Sequence, residues 1–144
     1  MVNLSKISEE GLGSQSLQRA FDGIIPLVAG TCAADGTPNI TFMSQFFYVD
    51  EQHVAISYQF MNKTWRNLNI NPIFTTLVTN PDTMAMWKLK LQYVEEQKEG
   101  PIFEEMEMQL MALSTPENIN FSLRSAVICR VLSIENVFEG SEMP

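Results

Sequence analysis

The sequence predicts an antiparallel α+β barrel, and three observations carry that prediction. Short runs of β-branched and aromatic residues recur along the 144-residue chain, tight-turn signals such as Asp35-Gly36 and Asn80-Pro81-Asp82 separate them, and few segments hold helical spacing. Six strands with two or three short helices follow, and an apolar sheet this small closes on itself because open edges would leave backbone groups unpaired.

Taken in order, residues 1 to 12 are polar and read as a loose arm, and Ser14 can cap a short helix carrying Leu17, Ala20 and Phe21. This gives an N-terminal arm and helix over 1–22 and a barrel domain over 23–144. The apolar run Ile24 to Ala34 is a first strand, turned by Asp35-Gly36 into a second that extends from Pro38 to about Val49. That second run is apolar on both faces, with Ile40, Phe42, Phe46 and Tyr48 on one and Met43, Phe47 and Val49 on the other, so the spacing predicts a strand buried on both sides. Asp50-Glu51-Gln52 returns the chain into a third strand, His53 to Tyr58.

A polar stretch containing Gln59, Asn62, Lys63 and Thr64 then opens a short helix, Trp65 to Ile70, stopped by Asn71-Pro72. Ile73 to Thr79 is a fourth strand, and Met84 to Glu96 is a fifth, with Lys88, Lys90, Gln92 and Glu96 on its wet face. Gly100-Pro101 opens a helix whose Phe103, Met106, Leu110 and Leu113 form an apolar stripe opposite Glu104, Glu105, Glu107 and Gln109. A polar loop leads to a last strand, Ala126 to Ile134.

Composition narrows the function classes. The net charge is −8 and the nine Lys and Arg residues form no block, so a nucleic-acid backbone would be repelled. No apolar run reaches the ~20 residues of a membrane span, and the N-terminus carries no secretory signal, which points to the cytoplasm. Cys32 and Cys129 lie in separate apolar runs and read as reduced thiols. A single histidine, His53, leaves a catalytic triad or a histidine metal site short of parts. The glycines form neither a dinucleotide fingerprint nor a P-loop.

What remains is the stretch His53 to Pro72. A strand that feeds a helix N-terminus through Asn62-Lys63-Thr64 offers an anion free backbone amides, a positive dipole end, a hydroxyl and an ammonium. A phosphate is the natural guest. The same residues also read as an N-cap beside a solvated lysine. Since no side-chain set can run hard chemistry unaided, an enzyme of this sequence needs a cofactor to carry the reaction.

Three stretches, ADGTPNITFMS, VDEQHVAISYQFMNKTWRNLNINP and KEGPIFEEM, together with the element order, resemble the flavin-mononucleotide-binding split-barrel family, the pyridoxamine 5′-phosphate oxidase-like proteins. The resemblance runs from about Gly23 to Ile134 and turns the barrel into a six-stranded split β-barrel. It implies a homodimer with FMN at the interface and a phosphate held at Asn62, Lys63 and Thr64. It also implies Ser57 and Tyr58 at the ribityl and phosphate end, with Gln59 and Asn67 as neighbours, and Met43 and Ser44 along the isoalloxazine ring. Phe42 stands where the oxidases of the family carry an arginine, and the chain has no C-terminal substrate segment, which argues against vitamin B6 oxidation. The activity implied is an FMN-dependent oxidoreductase with an unidentified small-molecule substrate, and the alternative is a non-catalytic flavin-binding or sensing module. Relatives of this shape also bind haem or a deazaflavin, and the lone His53 gives haem little support.

Overall fold

The computed structural model describes residues 11–22, 25–43, 46–58, 62–113 and 123–140. Among the described residues three helices, α1 (Gln15–Ala20), α2 (Asn62–Ile70) and α3 (Pro101–Leu113), accompany seven strands. The strands are β1 (Leu27–Cys32), β2 (Pro38–Met43), β3 (Phe46–Tyr48), β4 (His53–Tyr58), β5 (Ile73–Thr79), β6 (Met86–Gln97) and β7 (Ser125–Phe138). They form one sheet in the order β2-β1-β5-β6-β7-β4-β3, and every pairing is antiparallel.

The seventh strand corrects the count of six, and it comes from the run 38–49. Its first part, β2, pairs with β1 at one edge of the sheet, and its last part, β3, pairs with β4 at the other. Only residues 44 and 45 separate the two, so the Cα atoms of Met43 and Phe46 lie within about 11 Å of one another, three peptide steps. Seven strands laid flat at ~4.8 Å spacing would put those edges about 29 Å apart. The sheet must therefore curl until its edges approach, which makes it a barrel split between β2 and β3.

Curling sorts the side chains into an inside and an outside. Leu27, Ala29, Met43, Val54, Ile56, Leu89 and Leu91 fill the interior with Val127 and Cys129, and Leu68 of α2 joins them. Leu12, Leu17, Ala20 and Phe21 pack on the same core, with the Phe21 and Phe46 rings 4.5 Å apart. On the outside, α3 lays Met106 and Leu110 over Ala55, Ala126 and Ile128, with Phe47 and Phe103 at the margin. This helix covers the β7-β4-β3 part of the outer face.

The other part of the outer face is bare, and here the expectation of a strand buried on both sides fails. Ile40 and Phe42 of β2 are 75% and 71% exposed. They stand beside Gly30 and Val28 of β1, which in turn stand beside Thr75 and Leu77 of β5. The apolar alternation was real, but one of its two faces meets no other element among the described residues.

The turns follow their chemistry. Gly36 takes φ +88° in the β1–β2 turn, where the Thr37 amide donates to Asp35 Oδ1 at 3.0 Å. In the β3–β4 turn the Gln52 amide donates to Asp50 Oδ1 at 2.8 Å, and His53 Nδ1 lies 2.9 Å from the same oxygen. Buried Asn80 accepts the Asp82 amide at 2.8 Å and donates to the Ser16 carbonyl at 3.1 Å, which ties the β5–β6 turn to α1.

Candidate functional site

Helix α2 starts earlier than its apolar spacing indicates: Asn62, Lys63 and Thr64 form its first turn rather than a turn ahead of it. No acidic residue lies in that turn. The positive dipole end of the helix is therefore presented together with the Lys63 side chain, which is exposed.

The rest of α2 is fixed by the barrel's end. Thr31 of β1 and Asn39 of β2 face one another across the hairpin. Asn39 Nδ2 donates to Thr64 Oγ1 at 3.1 Å, and Asn67 Nδ2 donates to Thr31 Oγ1 at 3.1 Å. Thr64 and Asn67 are both buried. Two side-chain bonds from two strands, plus Leu68 in the core and the edge-on contact of Trp65 with Tyr93 at 5.4 Å, hold the helix at a set height and rotation. Lys63 is thereby left pointing out near the β1–β2 turn. Asp35 in that turn has a carboxyl held below the ordinary range, chiefly by the Thr37 amide, with the nearby Lys63 charge adding to the effect.

Ser57 is the other notable polar group. It is 2% exposed, and its Oγ is the one buried side-chain polar atom without a hydrogen-bond partner among the described residues. In register it stands opposite Ala126 on the outer side of β4, the same side as Ala55 under α3. It occupies the last turn of chain before residues 59–61 lead into α2. An unpaired buried hydroxyl costs stability unless something supplies its bond.

The site residues expected from the sequence divide accordingly. Ser57 and Lys63 keep unspent hydrogen-bonding capacity, whereas Thr64 and Asn67 point inward and position the helix. Met43 is buried in the core opposite Leu27, on β2 at the edge of the sheet. The backbones of Tyr58 and Asn62 are described and their side chains are not, while Ser44 and Gln59 lie outside the described residues. Sequence reasoning missed Thr31, Asn39 and Asp35. Thr31 could have been found as the polar side chain on the otherwise apolar inward face of β1, and Asn39 as its partner across the hairpin.

His53 is placed elsewhere. It opens β4, about 17 Å along the strand from Tyr58, and its Nδ1 is engaged by Asp50. Among the described residues no cluster of His, Cys, Asp and Glu could hold a metal ion, and no helix is long and apolar enough to cross a membrane.

Comparison with solved structures gives the fold its relatives. An FMN-binding protein from Syntrophomonas wolfei subsp. wolfei superposes with a TM-score of 0.74 at 18% identity, covering 98% of this chain and 93% of that one. The fold is the split barrel. A provisionally assigned pyridoxamine 5′-phosphate oxidase from Lactobacillus delbrueckii matches at TM-score 0.60 and 11% identity, over 87% of this chain and 98% of that one. HutZ, the haem storage protein of Vibrio cholerae, matches at TM-score 0.51 and 14% identity, over 88% and 89%. No protein-family model matches the chain, and no curated protein does. The split barrel is thus shared by proteins with different cofactors, and the choice among them rests on this chain's own residues.

Proposed function

We propose that this protein binds flavin mononucleotide, with the phosphate at the N-terminus of α2, and acts as a homodimeric FMN-dependent oxidoreductase on a small molecule. The observation that carries the reading is the buried, unpartnered Ser57 hydroxyl at the end of β4, three residues of connection ahead of an acid-free helix N-terminus bearing Lys63.

Each residue has a part. Lys63 would neutralise the phosphate against the −8 charge of the chain, the first amides of α2 would donate to its oxygens, and Ser57 would spend its free hydrogen bond on the same end of the ligand. The Asn39–Thr64 and Asn67–Thr31 bonds hold the helix, and so the amides, in place. The backbone of the edge strand β2 beside Met43 suits the polar rim of the ring. When bound, the flavin supplies the electron exchange that no side chain of the chain can. The unpaired thiols, with Cys129 buried and its pKa pushed far up by that burial, suit a reducing compartment such as the cytoplasm.

The second reading, a flavin-binding module without turnover, is favoured by one feature. The carboxyl beside Lys63, that of Asp35, stays ionised and bonded to its own turn, so it is poorly placed to exchange a proton with a substrate. The homodimer is supported by the bare apolar face around Ile40 and Phe42, since a monomer rarely leaves such a patch to water.

The visible absorption spectrum of the purified protein, with and without added FMN, tests the reading. A two-band flavin spectrum that is retained through gel filtration, and lost or weakened at least about tenfold in affinity by Lys63→Ala, supports it. A colourless protein that takes up no FMN overturns it.

A further inference from the structure

The bare half of the outer face is not uniformly apolar. It begins at Phe42 and Ile40 on β2, passes Leu77 and Ile73 on β5, and ends on β6 and β7 in a basic strip. Lys88 and Lys90 project from β6 opposite Leu77 and Thr75, about 7 Å apart along the strand, and Arg130 follows from β7 opposite Gln92. Three of the nine Lys and Arg residues of an acidic chain therefore share one stretch of sheet. Glu135 pairs with Lys88 at 3.2 Å, whereas Lys90 and Arg130 have no carboxylate partner among the described residues.

The complementary surface is on the same molecule. Helix α3 buries Met106 and Leu110, and its opposite side presents Glu104, Glu107, Met108 and Met111 at i, i+3 and i+4 spacing. Met108 and Met111 are 69% and 64% exposed, an apolar load that a solvated helix face does not need. The helix thus has an acidic, methionine-bearing back, and the sheet has a basic, apolar bare half. They cannot meet within one chain, because α3 already lies over the β7-β4-β3 part.

We infer that the homodimer is built by reciprocal cover: the back of α3 from each copy seats on the bare β2-β1-β5-β6 face of the other, with Glu104 and Glu107 against Lys90 and Arg130. The inference rests on the homodimer reading and specifies its contact. A two-fold axis makes both contacts at once, which an isologous interface requires. Each copy's sheet is then covered on its whole outer face by two helices, its own and its neighbour's. Opposite charges fix the orientation, and Met108 and Met111 supply the adaptable apolar filling between Phe42 and Leu77.

A charge swap tests this by sedimentation equilibrium. Lys90→Glu/Arg130→Glu and Glu104→Lys/Glu107→Lys change exposed residues only, and unchanged circular dichroism verifies folding. Each double variant is expected to weaken the dimer about tenfold or more by setting like charges face to face, and the quadruple variant to return within about threefold of wild type. A wild-type dimer that neither double variant weakens, or a quadruple variant as weak as the doubles, overturns the contact and leaves the dimer standing. A wild-type monomer overturns the contact and the dimer together, and leaves flavin binding to its own spectral test.

Discussion

Replacing Ser57 by alanine should push stability and cofactor binding in opposite directions. The hydroxyl is 2% exposed and unpartnered, so the free protein carries the desolvation cost of an unsatisfied group, about 1–3 kcal/mol. Ser57→Ala removes that cost and leaves a void no larger than one oxygen, so the ligand-free protein should gain about 1 kcal/mol, or roughly 2–4 °C in melting temperature for a chain of this length. If the hydroxyl donates to a phosphate when FMN binds, its loss forfeits a hydrogen bond to a charged group, about 1.5–3 kcal/mol, or roughly ten- to hundredfold in affinity. Differential scanning calorimetry without ligand and a flavin-fluorescence titration measure the two effects. A variant that melts lower than wild type and binds FMN equally well would refute the reasoning, because Ser57 would then have a partner in the folded chain and none in the ligand.

Two further outcomes follow from the fold. Gly140 lies at φ +78° where β7 docks on the 83–85 turn, and a Cβ there would meet the Thr83 carbonyl and come 2.6 Å from the Ala85 amide nitrogen. Gly140→Ala should cost more than about 1 kcal/mol in a denaturant titration, combining backbone strain with overlap. Acid stability should be set by hydrogen-bonded carboxyls. The Asp82 pKa is lowered chiefly by its hydrogen bond from Arg19, and the Asp50 pKa chiefly by the Gln52 amide and then His53. Both groups then bind fewer protons folded than unfolded, so the stabilisation is full above about pH 4, the unfolded value, and drains away as pH falls through the folded values. Denaturation midpoints taken down the pH scale should show the fall, and Asp82→Asn should make it shallower.

The physics explains which parts of this molecule were legible in its sequence. Strands β1, β4 and β5 were found because turn chemistry bounds them on both sides, and Asp35-Gly36 announced the hairpin that carries Thr31 and Asn39. The break between β2 and β3 was not legible. Both faces of residues 38–49 are apolar, and the point at which the run leaves one sheet edge for the other depends on how far the sheet curls. The same apolarity read as burial, whereas Ile40 and Phe42 lie on the bare face. Lys63 could be placed by its spacing from the strand. The inward turn of Thr64 and Asn67 could not, since it is decided by partners 25 and 36 residues away. Ser57 looked like any strand serine, and only the packing of the folded chain leaves its hydroxyl buried and unpaired.

The central claim is a phosphate anchor at the start of α2, and a paired titration of the purified protein with FMN and with riboflavin tests it most directly. The two ligands share the ring and ribityl chain and differ in the phosphate alone. FMN should bind at least about tenfold more tightly than riboflavin, and Lys63→Ala should bring the two together. Equal affinities in the wild-type protein, or no binding of either, would contradict it.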